Sequence, residues 1–195
     1  MKRMLLVLIA AGSAMFASAQ IQFGVKAGVN VADLNLSGGP PGFTFNSKTD
    51  FNGGIFVSVP LFSSCSLQPE VMYSGQGASF NDSVATVKDN FGYINVPVLF
   101  KYQHNSGLFA ETGPQVGFLL SANEKAGGQT FDMKSNTNAT DFSWVFGIGY
   151  KLPLGLGIDL RYNLGLVNLA KGPYTDGTIE NSVFQFGLFF MFPKK

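Results

Sequence analysis

The sequence is poor in cysteine, histidine and charge. A lone Cys65 excludes an intramolecular disulfide and a cysteine-based zinc site, and is expected as a free thiol. The single histidine, His104, sits in the polar turn Gln103-His104-Asn105-Ser106 with no evident partner for a catalytic triad, and reads as a solvated turn residue. Charged residues make up 13% of the chain, about half the roughly 25% of ordinary soluble domains. Their balance of +1 offers no footing for nucleic acid. Past the first 20 residues, no run approaches ~18 apolar residues without Gly, Pro or Asn, so a helical membrane span is not expected. Asp82 and Asp89 lack the alternating ligands of a calcium loop and read as solvated loop charges. Gly147-Ile148-Gly149 and Gly155-Leu156-Gly157 lie within strand patterns, not at the strand-to-helix turn a phosphate loop needs. The triplets beginning at Asn35, Asn81 and Asn138 are glycosylation sequons by pattern alone. No catalytic residue, cofactor or metal is therefore expected.

What is abundant is aromatic side chains, at 14%, and glycine, with 24 residues. In the last stretch, Phe184, Phe186, Leu188, Phe190 and Phe192 alternate with Gln185, Gly187, Phe189 and Met191. A period of two with one wholly apolar face is a β-strand, long enough when tilted to cross a bilayer's hydrocarbon. At the other end, Lys2 and Arg3 precede an apolar run from Met4 to Ala11 and the small residues Ala17-Ser18-Ala19. That order predicts a signal peptide over residues 1–19, cleaved before Gln20, and a β-barrel domain over 20–195. Taking Lys2 and Arg3 from the 13 basic residues leaves one fewer than the 12 acidic, a mature charge of −1.

The same alternation recurs along the chain. Strands are predicted over Ile21 to Asp33, around Phe51 to Leu61, Leu67 to Gln76, Tyr93 to Tyr102, Leu108 to Leu120, Phe142 to Leu152, Leu156 to Leu166 and in the final stretch. Short turns near Cys65, His104 and Pro153-Leu154-Gly155 alternate with long polar loops over Asn35–Thr49, Ala78–Asn90, Ala122–Thr140 and Ala170–Glu180. The expected fold is all-β, an eight-stranded antiparallel up-and-down transmembrane β-barrel. Even strand number with short turns at one end and long loops at the other is the pattern of outer-membrane barrels. Both termini would then be periplasmic and the long loops extracellular, after export through the Sec route.

A soluble barrel with an apolar interior alternates too, and the charges decide between them. Lys26, Glu70, Lys101, Glu111, Lys151, Asp159 and Arg161 all fall on the Gly- and Asn-bearing face, and none on the aromatic face. A Lys or Arg on a lipid-facing surface at the midplane costs ~2–4 kcal/mol, so the aromatic face reads as lipid-facing. Eight staves enclose a space that side chains fill, so an open channel is not expected. Charges in so narrow a space must be paired. The seven charges are therefore expected to form a lumen network, with Arg161 against Glu70 or Glu111.

Several short motifs in order resemble a known family. These are Gly24-Val25-Lys26-Ala27-Gly28, Leu67-Gln68-Pro69-Glu70, Ile94-Asn95-Val96-Pro97 leading to Lys101-Tyr102, Gly113-Pro114, and Arg161-Tyr162. Together they resemble the PorT-like, or "porin family", outer-membrane β-barrels common in Bacteroidetes, over nearly the whole mature chain. Position 95 is Asn where the resemblance leads one to expect Glu. The resemblance implies lipid and the barrel assembly machinery, engaged through the C-terminal strand, as partners. Three roles follow as expectations: a monomeric structural or surface-interaction barrel without catalysis, an accessory of protein secretion with envelope or secretion partners, and a small-solute pore.

Overall fold

Alternating residues need a partner strand on each side before they can form a stable surface, and the chain supplies one at every step. The computed structural model describes residues 21–37, 46–81, 86–169 and 178–193. The expected leader, Asp82 and most of the first and fourth long loops lie outside the described residues. The strands are β1 (Gln22–Ser37), β2 (Asn46–Phe62), β3 (Cys65–Gln76), β4 (Ala78–Asn81) and β5 (Thr86–Gln103). They continue with β6 (Leu108–Ala126), β7 (Gln129–Asp132), β8 (Thr140–Lys151), β9 (Leu156–Gly165) and β10 (Thr178–Met191).

These ten segments make eight staves of a closed antiparallel barrel. β3 and β4 are one stave broken at Gly77, since both pair with β2 and with β5. β7 and β8 likewise lie along the same side of β6. The ends of the chain close the ring: β1 pairs with β10 from Gly24↔Met191 to Ser37↔Thr178. Among the described residues every stave is paired on both sides through the apolar band, which is what a strand protein in hydrocarbon requires.

Each face is as the pattern predicts. Phe23, Ile55, Ile148 and Leu188 point outward and are 60% exposed, while Lys26, Glu70, Lys101, Glu111, Asp159 and Arg161 point inward and are buried. A soluble barrel would reverse this arrangement. So extensive an exposed apolar surface is stable only against lipid.

The strands are longer than the hydrophobic alternation indicates. β2 begins at Asn46, β5 at Thr86, and β6 runs to Ala126 before turning into β7, so much of the expected long loops is strand. Asp89 is thus a strand residue, and Asn35 and Asn81 lie at strand ends. The reason is that polar residues continue the ladder by backbone pairing alone, leaving no apolar period to read. Gly127 and Gly128, at φ 56° and 81°, make the tight turn between β6 and β7. Gly77 breaks its stave at φ 137°, where a side chain would be strained.

Candidate functional site

The lumen is built in layers. At the short-turn rim, Phe56, Phe109, Phe189 and Met191 pack together as a buried apolar plug. Phe189 meets Phe56 and Phe109 edge to face, with ring centroids 6.0 and 5.8 Å apart. Each ring lies over a glycine on the neighbouring strand: Phe56 over Gly24, Phe109 over Gly149 and Phe189 over Gly157. A Cβ at any of the three glycines would run into the ring beside it. The glycines are therefore the space into which the inward phenyl groups fold.

On this plug sits the charge layer. Arg161 on β9 crosses the lumen to β3, donating from Nη1 and Nη2 to the two carboxylate oxygens of Glu70 at 2.7 Å each. Its Nε donates to Glu111 Oε1 on β6 at 2.6 Å. Arg161 and Glu111 meet over Gly147, their common register neighbour, where a side chain would crowd both. Gln68 Nε2 donates to Glu70 Oε1 at 2.7 Å. Lys101 lies with Nζ 3.5 Å from the centre of the Phe109 ring, 3.4 Å from Gln68 Oε1 and 3.9 Å from Glu111 Oε2. Lys26 pairs with Asp159, both buried, across the space left by Gly187.

Six of the seven expected charges thus converge on one layer, three of each sign. Of the two acids proposed for Arg161 from sequence, it takes both. The seventh, Lys151, sits farther toward the short-turn rim, half-buried, with Nζ 3.9 Å from the sulfur of Met191.

Beyond the charges comes a layer of amides and hydroxyls. Asn30 is its centre, donating to Ser74 Oγ at 2.9 Å and Gly75 O at 2.8 Å. It accepts from Asn52 at 2.6 Å and from Gln185 at 3.0 Å. Gln76 donates to Ser74 and accepts from Asn181, and Gln115 donates to Ser143. A second apolar layer follows toward the long-loop rim, where Tyr93, Leu119 and Ala122 pack with Phe91 and Met133, and Leu169 packs on Ala78. The segment carrying Leu169 is pinned by Asn138, whose N–H donates to Leu169 O at 2.9 Å and whose side chain donates to Asn168 O at 2.7 Å.

The apolar layers are not legible from alternation, which assigns Phe109, Phe189 and Met191 to the lumen but does not bring them together; only the register sets them opposite Gly149, Gly157 and Gly24. His104 is exposed at the short-turn rim, its Nδ1 2.9 Å from Ser106 Oγ. Cys65 is free and half-buried nearby. Among the described residues no group of three or more His, Cys, Asp and Glu side chains could hold a metal.

A closed eight-stave barrel with lipid outside and paired charge inside defines an integral protein of the bacterial outer membrane. The chain belongs to the outer membrane protein beta-barrel domain family, whose model matches residues 13–171. Among solved structures, it superposes on Neisserial surface protein A with a TM-score of 0.62 at 15% identity, covering 87% of this chain and 97% of that one. It superposes on Ail, the attachment invasion locus protein of Yersinia pestis, with a TM-score of 0.50 at 14% identity, covering 88% and 98%. At such identities the likeness is one of fold. No curated protein sequence matches the chain.

Proposed function

We propose that this protein is a non-conducting, non-catalytic outer-membrane barrel that acts as a monomer and presents its long-loop rim at the cell surface. The leader over residues 1–19 directs its export through the Sec route, and the termini stay in the periplasm. The observation that carries this reading is the Arg161 crossing. One guanidinium ties β9 to Glu70 on β3 and Glu111 on β6 through the middle of the lumen, over an apolar plug of three phenyl rings. A solute would have to break desolvated ion pairs and displace packed side chains to pass, which disfavours a pore. Orientation is supported by the alternation of short turns with long connections. Absence of catalysis is supported by the place of His104 in an exposed short turn, bonded to Ser106.

Two measurements test the reading. In planar bilayers the purified barrel is expected to show no steady conductance above that of protein-free membranes; reproducible channel steps would overturn the closed-lumen reading. An epitope placed between Gly127 and Gly128 is expected to be labelled on intact cells. Labelling that needs permeabilised cells would reverse the orientation.

A further inference from the structure

At the long-loop rim, β5 and β6 place like charges opposite each other. Lys88 is the register partner of Lys125, and one step along Asp89 is the partner of Glu124. Directly opposed side chains in an antiparallel pair have Cβ atoms about 4.5–5.5 Å apart, and like charges there are destabilising. The opposite order of Glu124 and Lys125 would have given two cross-strand ion pairs. Nor can the strands slip to escape. A β-bulge between Gly92 and Tyr93 separates this outer segment from the rest of the pair, and within the segment Phe91 meets the buried Ala122 on the inner face, so a one-residue shift would turn both outward.

The signs are instead sorted by face. Lys88 and Lys125 are exposed on the outer, lipid-side face, in line with Asn90, Asn123, Gly92 and Ser121 above the apolar pair Ile94 and Phe118. Ser79 of β4 and Thr130 of β7 flank the two lysines in the same row, giving Ser, Lys, Lys, Thr across four strands. A third lysine, Lys134, is exposed and donates from Nζ to the Leu120 carbonyl at 2.9 Å, at the upper edge of the apolar band. Among the described residues the acid on this face is Asp132, which is opposite Asn123 and accepts from the Lys134 N–H at 2.8 Å. Among those residues the face keeps a positive excess of three lysines over one aspartate.

We infer that this lysine face binds the phosphate groups of a phosphorylated glycolipid in the surrounding leaflet. Height selects that occupant. Leu120 is the extra residue of the bulge, so the climb to Lys125 is the four regular steps from Ser121, about 9 Å at ~3.3 Å per residue and a tilt near ~45°. Ordinary phospholipid headgroups add only roughly 5–8 Å per leaflet. Lys134 at the edge of the apolar band, with Lys88 and Lys125 well above it, suits phosphates carried at more than one level of a sugar headgroup. A bridging dianion would also relieve the Lys88–Lys125 repulsion that the register imposes. The inference rests on the reading of the long-loop rim as the outward one.

The test uses the full mature chain in phosphatidylcholine vesicles, with or without lipid A in both leaflets, and follows the unfolding temperature. Phosphorylated lipid A is expected to raise it, while dephosphorylated lipid A and inorganic phosphate are not. The charge-neutral exchange E124K/K125E turns both like-charged pairs into ion pairs and is expected to lose more than half of the rise. The variant K88Q/K125Q, which keeps the acids in place, is expected to lose it as well and carries the test if the exchange variant does not fold. An equal rise in native and variant barrels, or with dephosphorylated lipid A, would overturn the site. A rise of the same size with inorganic phosphate would overturn the lipid as its occupant. Because both leaflets carry the glycolipid, the result is independent of orientation, which surface labelling tests separately.

Discussion

Arg161 and Glu70 lie 91 residues apart in the chain and meet through two parallel hydrogen bonds of 2.7 Å. Their strands, β9 and β3, are not neighbours in the barrel, so the fork spans the lumen instead of following the wall. A planar guanidinium suits this position because it offers one pair of N–H groups to a carboxylate and keeps Nε for a second acid. Lysine could make neither the fork nor the second contact in the same geometry.

Arg161→Met is accordingly expected to leave Glu70 without its main partner and to weaken the setting of Glu111. Breaking a buried pair from one side costs about 3–5 kcal/mol, which urea unfolding in lipid vesicles would read as a lowered midpoint. Adding Glu70→Gln to that variant removes the uncompensated anion and is expected to recover part of the loss. A double variant no more stable than the single one would mean that packing, not charge, sets the contribution of Arg161.

The pairing of inward rings with glycines predicts a non-additive pair of substitutions. Gly157→Ala pushes a methyl group into the Phe189 ring and is expected to cost ~1–3 kcal/mol by overpacking. Phe189→Ala opens the plug and is expected to cost ~3–5 kcal/mol. With both in place the methyl group no longer meets a ring and only its contact with the Tyr150 carbonyl remains, so the combined loss should fall short of the sum in a double-mutant cycle. Strict additivity would sever the link between the two positions.

Trp144 is the single tryptophan of the chain; the residue is 38% exposed on the outer face, with Nε1 donating to Thr112 Oγ1 at 2.9 Å. Its fluorescence therefore reports directly on what covers that face. In vesicles, lipids with brominated acyl chains are expected to quench it strongly and aqueous iodide weakly. The reverse order would place the outer face of β8 in water.

A pH effect is expected at the rim. Burial first, and the neighbouring Glu124 charge second, push the Asp89 carboxyl from its ordinary 3.8 up to about 6. A carboxyl whose pKa is higher folded than unfolded weighs against the fold when ionised, and that penalty is fully present above about 6. It is relieved as pH falls from about 6 toward 3.8, so the outer ends of β5 and β6 should open less often at pH 5 than at pH 7.5. Amide hydrogen exchange, corrected for its intrinsic pH dependence, would read this. Asp89→Asn should flatten the profile; an unchanged profile in that variant would assign the effect to another group.

Much of this barrel is determined by the sequence alone. A strict period of two decides which side chains face lipid and which face the lumen. The confinement of Lys26, Glu70, Lys101, Glu111, Asp159 and Arg161 to one face is enough to say that they must pair. Alternation says nothing about height, however, and staves two or more apart in the chain have no local reason to align. Only the closed ring, through the register between β1 and β10 and its neighbours, sets Glu70, Glu111 and Arg161 at one level and stacks three phenyl rings beneath them. The same limit explains the rims. Polar strand ends carry no apolar period, so the facing of Lys88 on Lys125, and the length of the hairpins that bear them, emerged only from the backbone pairing of β5 with β6.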